Sequence, residues 1–89
     1  MQIQPHSEAE VLALEILEFL AESQEPLDLF AAESGITVDE LRARAEAPDV
    51  LAAVMDFLLG HEDLAREFCT TRSLSAETLH RARRRLPGA

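Results

Sequence analysis

Apolar residues recur along most of this chain at spacings of three and four, as in helices with one greasy side. No segment alternates apolar and polar residues as a half-buried strand would. The densest stretch is Pro48 to Gly60, PDVLAAVMDFLLG, whose only charges, Asp49 and Asp56, lie seven residues apart and share one narrow stripe. A helix that is apolar nearly all round suits burial on most sides. Pro48 fits its first position, where a missing N–H is no loss, and Gly60 is expected to be the left-handed residue just past its end. The pattern predicts an all-α fold, a compact bundle of about six short helices around a buried central helix, 48–59.

The flanking elements punctuate themselves. Ser7 with Glu10 spells a capping box ahead of a helix from Glu8 to about Ala21, expected to bury Val11, Leu12, Leu14, Ile16, Leu17, Phe19 and Leu20. Its charges, Glu8, Glu15, Glu18 and Glu22, form one acidic ridge. Ser23 to Glu25 reads as a turn, and Pro26 opens a second helix to about Glu33 with Leu27, Phe30 and Ala31 inward, stopped by Gly35. Thr37 and Glu40 cap a third helix, anchored by Leu41 and running to about Glu46; Ala47, preceding proline, breaks it. His61 and Glu62 lead into a fifth helix to about Thr71 that buries Leu64, Ala65 and Phe68. Ser75 caps a sixth that carries Leu79, Ala82 and Leu86 and ends at Pro87-Gly88. Residues 1–6 are expected to be a disordered tail and 7–88 a single domain.

Sliding the chain along itself by 38 residues superposes Phe19, Leu20, Phe30 and Leu41 on Phe57, Leu58, Phe68 and Leu79 without a gap. Ile36-Thr37 falls on Leu74-Ser75. The match follows anchors and caps, which suggests two three-helix units, 8–47 and 49–86, with approximate two-fold internal repetition. Two copies are too few for a solenoid, so one symmetric bundle is the expectation.

Charge sharpens this picture. Of the net −9, residues 1–63 carry fifteen acids and two arginines, while residues 64–89 carry two acids and six arginines. Such an acidic chain is a poor candidate for non-specific nucleic-acid binding, except through its C-terminal part. One cysteine, Cys69, excludes an intramolecular disulfide and a CxxC site. The longest apolar run, Val50 to Met55, is far short of the roughly 20 residues of a membrane span. The first residues, MQIQPHSEAE, lack a basic region and an apolar segment, so no secretory signal is read and a soluble, cytoplasmic protein is expected.

Several spellings resemble a known family. EAEVLALEILEFLA at 8–21, GITVDELR at 35–42, LAAVMDFLL at 51–59 and RARRRLPG at 81–88 are similar to small proteins grouped as domain of unknown function 3572, found mainly in alphaproteobacteria. The resemblance implies a helical, cytoplasmic, bacterial protein. It carries no catalytic residue.

The candidate chemistry is sparse. FAAESGITVDELRAR at 30–44 has the spacing of a helix-turn-helix, but Asp39 and Glu40 would meet phosphates. The offset copy ends in an arginine-rich helix, so Arg81, Arg83, Arg84 and Arg85 are the candidate nucleic-acid contacts; a last-turn arginine is also favoured simply by the helix dipole. His6, His61 and His80 have no metal-ligand spacing, and His61, Glu62 and Asp63 read as a polar helix start. Cys69 falls where the offset puts Ala31, as a small buried residue does. No glycine-rich phosphate loop is present, so no catalytic residue, metal or cofactor is assigned. What remains is a non-enzymatic module for an unknown protein partner, or a homodimer formed through apolar surface on the first and central helices. Nucleic-acid binding is the alternative.

Overall fold

The computed structural model describes residues 7–88, which form α1 (Glu8–Ala21), α2 (Gln24–Ser34), α3 (Val38–Ala43), α4 (Pro48–Leu59), α5 (Glu62–Arg72) and α6 (Ala76–Arg83). All are helices, and no strand occurs among the described residues. The expected tail at 1–6 lies outside them.

Local chemistry sets the helix starts. Ser7 accepts from the Glu10 N–H while the Glu10 carboxylate accepts from the Ser7 N–H, and Thr37 and Glu40 repeat this reciprocal box on α3. Ser75 accepts from the Thr78 N–H at the head of α6. Ala47 is extended, as a residue before proline should be, and Pro48 opens α4. Helix α2 begins two residues earlier than expected, at Gln24, with Pro26 in its first turn; the first N–H groups of a helix have no intrahelical partner, so proline is tolerated there. Helix α3 ends early, at Ala43, where Arg44 leaves helical geometry.

Helix α4 is the hub. Val50, Leu51, Val54, Met55 and Leu58 are at most 1% exposed, and α4 packs on α1, α2, α5 and α6. Ile16 and Leu20 of α1, Phe30, Phe68 and Leu79 complete the set of large, fully buried side chains. No polar side chain is buried among the described residues, so the core is held by apolar contact alone.

Three expectations need correction. Val11 is 44% exposed: the buried stripe of α1 is Ala9, Ala13, Ile16 and Leu20, whose two alanines let it approach α4 closely, and Val11 lies off that stripe. Gly60 is not left-handed; its φ of −82° is ordinary helical backbone, and a Cβ there would contact the Asp56 carbonyl at 3.4 Å without clashing. The apolar surface that the central helix was expected to offer a second copy is mostly covered by neighbouring helices; among the described residues the large apolar side chains left exposed are Val11 and Leu29.

The left-handed residues ending helices are Gly35 (φ 77°) after α2 and Ser73 (φ 55°) after α5, again 38 positions apart. Two edge-to-face aromatic pairs, Phe19–Phe68 and Phe30–Phe57, both have centroids 5.4 Å apart. Exchanging each phenylalanine for its partner 38 residues away converts one pair into the other.

Candidate functional site

The α5–α6 corner is built from the inside outward. Phe68 and Leu79 are fully buried and fix the two helices to the core. Ser73 turns the chain in left-handed geometry, and the Leu74 N–H donates back to the Cys69 carbonyl at 2.9 Å, the six-to-one bond of a Schellman ending. The corner leaves an open groove of about 610 Å³ between the helices. Leu59 at the end of α4, Ala65, Cys69, Leu74 and Leu79 give it an apolar floor. Glu62, Arg66 and Thr70 follow the α5 wall, and Ala76 and His80 the α6 wall.

The groove exists partly because its walls are small. At two lining positions, Ala65 and Ala76, the 38-residue offset pairs alanine with Leu27 and Val38 of the first half. Small residues at both positions are the signal the sequence offered for the groove, and periodicity alone passes over them because alanine fits either a core or a surface position. Cys69 is half-buried, and burial pushes its thiol above the ordinary value, which keeps it protonated at neutral pH. A nucleophile needs the opposite shift.

The four candidate arginines do not act as one patch. Arg83 donates from Nε and Nη2 to the two carboxylate oxygens of Asp56 on α4 at 2.6 and 3.2 Å. Its Nη1 donates to the carbonyls of Leu86 and Pro87 at 3.3 and 2.9 Å. With 16% of its side chain exposed, it latches the C-terminal turn to the central helix and is not available to phosphate. Arg81 pairs with Glu77 one turn back at 3.0 Å, and Arg84 and Arg85 are exposed. Asp49, the other charge on α4, receives two bonds from Arg44 at 2.8 and 2.9 Å; this hydrogen bonding holds its carboxyl below the usual aspartate range. Both acids on the central helix thus tie neighbouring segments to it.

The histidines are separated. His61 Nε2 lies 2.9 Å from Glu33 on α2 and its ring stacks against Phe57 with centroids 4.4 Å apart, a tie between α2 and the α4–α5 junction. His80 sits on the groove wall, and His6 lies outside the described residues. Among the described residues no three His, Cys, Asp or Glu side chains converge to hold a metal ion, and no helix is long and apolar enough to cross a membrane.

Residues 6–89 match the profile of a family described as a protein of unknown function, DUF3572. The chain belongs to this family. The match spans all six helices, from the first capping box through the C-terminal latch. Comparison with curated proteins and with solved structures gave no match.

Proposed function

We propose that this family member is a non-enzymatic protein-interaction module of the cytoplasm, with the groove between α5 and α6 as its docking surface. The observation that carries the reading is the groove itself, an open apolar floor of about 610 Å³ between two helices that are otherwise anchored to the core. Apolar grooves between helices are a recurrent seat for a partner's helix or side-chain ridge. The 38-residue correspondence belongs to the same reading: the first half acts as scaffold, and the second, with alanines at the matching wall positions, is open. Against catalysis stands the placement of the reactive side chains, with Cys69 protonated by burial and His61 and His80 on different elements.

Homodimerisation draws less support, since among the described residues the exposed large apolar side chains, Val11 on α1 and Leu29 on α2, stand singly on different helices. Nucleic-acid binding draws less still. Arg83 is engaged with Asp56 and Arg81 with Glu77, which leaves Arg84 and Arg85 of the four candidates, on a chain of net charge −9.

The test uses the full chain, tagged and cross-linked in cells, beside an Ala65→Leu/Ala76→Val variant that fills the groove with the residues of the first half. A protein captured by the wild type and lost from the variant, whose helical circular dichroism is unchanged, is the expected result. Identical capture profiles for the two chains overturn the assignment of the groove, and a wild type that captures nothing above an untagged control overturns the interaction reading.

A further inference from the structure

Beyond the groove, we infer that the cleft between the first turns of α2 and α5 is a second docking surface, taken by a short basic segment of another protein that carries one apolar side chain between arginines or lysines. The cleft, of about 470 Å³, runs between Glu25, Pro26 and Leu29 on α2 and the chain from Gly60 to Leu64. Its floor is apolar. Leu29 is 39% exposed, one of the two large apolar side chains so open among the described residues, and Pro26 and Leu64 are half-buried on the same lining. The rim is acidic, with Glu25, Glu62 and Asp63 exposed and no arginine on the lining. His61 lies 2.9 Å from Glu33 and stacks on Phe57, so any charge it takes is met by a carboxylate outside the cleft. The same tie joins α2 to the α4–α5 junction, and the walls are set before anything enters.

Charge decides the occupant. The three acids stand in first helical turns, where the positive end of each dipole, about half a unit charge, favours a carboxylate. Two such ends offset about one of three negative charges, so the cleft keeps about two. Glu25 and Glu62 enter no ion pair among the described residues. Asp63 has Arg66 at 3.7 Å with both side chains in water, a screened contact that yields to a better one. The other clefts differ. Beside exposed Val11, Glu15 is paired with Arg72; between α1 and α6, Glu8 faces Arg81 and Arg85. Between α2 and α4, Glu33 and Asp56 are held by His61 and Arg83, and the α5–α6 groove balances Glu62 with Arg66. A basic segment is drawn to the whole acidic surface and retained where one of its side chains also leaves water against Leu29. Screening over about 8 Å at physiological salt weakens the diffuse attraction and spares the pairs in contact. The cleft adjoins the groove at Glu62, which lines both, and lies on its α2 side.

The experiment titrates the full chain, labelled with nitrogen-15, with three peptides of about 12 residues at physiological salt and follows the amide shifts. One carries a leucine between arginines, the second a serine in place of the leucine, and the third glutamates in place of the arginines. The leucine–arginine peptide is expected to bind roughly tenfold or more tightly than either twin, the factor that burial of one anchor supplies, with its shifts concentrated at residues 24–30 and 60–65. Leu29→Ser should weaken it by about the same factor. Glu25→Gln/Asp63→Asn, at positions that line the cleft and not the groove, should weaken it at least about threefold. Glu18→Gln/Asp39→Asn, which removes the same charge from exposed positions outside the cleft, should change it less than about twofold, and the groove-filling Ala65→Leu/Ala76→Val should leave it unchanged. Equal binding of the serine peptide, equal losses in the two charge variants, shifts centred elsewhere, loss in the filled-groove chain, or no binding by any peptide overturns the inference. The reading of the α5–α6 groove is judged separately, by cross-linked capture with and without the filled groove.

Discussion

Replacing Arg83 by methionine keeps most of the aliphatic stem and removes the guanidinium, so it isolates the latch between α6 and α4. A hydrogen bond to a charged group contributes about 1.5–3 kcal/mol when sheltered, and an exposed ion pair about 0–1 kcal/mol. Arg83 is sheltered, but Asp56 is 58% exposed, so solvent screens part of the pair and the two-point contact belongs between those limits. The two carbonyl bonds to Leu86 and Pro87 add to it, and both acceptors regain water when the guanidinium goes. The expected loss is about 1–3 kcal/mol. For a domain of this size each kcal/mol moves the melting temperature by about 4–8 °C, which gives a fall of about 4–24 °C by circular dichroism. Arg84→Met and Arg85→Met, at exposed positions, should stay within about 0.5 kcal/mol of wild type. An Asp56→Asn/Arg83→Met double-mutant cycle should show the two losses to be less than additive, since either change breaks the same contact. If Arg83→Met melts within 2 °C or so of wild type, or if its effect equals that of Arg84→Met, the latch is not a stabilising element and the separation of Arg83 from its neighbours fails.

Leu51→Ala, at a position with no exposure on the central helix, should cost about 2–5 kcal/mol by chemical denaturation, and an unchanged midpoint would contradict the burial of α4. Gly35→Ala should destabilise by about 1–2 kcal/mol although no atom lies within 4 Å of the added Cβ, because the cost comes from the left-handed backbone alone. Ser73→Gly, at the other left-handed site, should stabilise by up to about 1 kcal/mol, the relieved strain being partly offset by a more flexible unfolded chain. Asp49 has a folded-state pKa below its ordinary 3.8, so its contribution to stability is present above that pH and disappears as acid titrates the carboxylate; the acid limb of a stability profile should be shallower in Asp49→Asn than in wild type. Cys69 should react with iodoacetamide more slowly than a free thiol at pH 8, and equal rates would contradict its burial.

Much of the fold was legible in the chain because the deciding interactions are local. The capping boxes of Ser7-Glu10 and Thr37-Glu40, the pre-proline break at Ala47 and the stop at Gly35 each depend on residues within a few positions. The buried anchors Phe30, Leu41, Phe68 and Leu79 declare themselves by size and spacing. The candidate site was far less legible. Cys69 was expected to be a small buried residue but is only half-buried, because it floors the groove, and that space depends on how α5, α6 and the end of α4 meet.

The sequence alone settled where five of the six helices begin, which of them is central and that Phe30, Leu41, Phe68 and Leu79 are inside, since those follow from short-range hydrogen bonding and from burying the greasiest segment. Tertiary packing decided the rest. It put Val11 outside and the alanines of α1 inside, placed Ser73 in left-handed geometry, and gave Arg83 to Asp56 while leaving Arg84 and Arg85 in water. Each of these turns on a neighbour distant along the chain, which no spacing between nearby residues encodes.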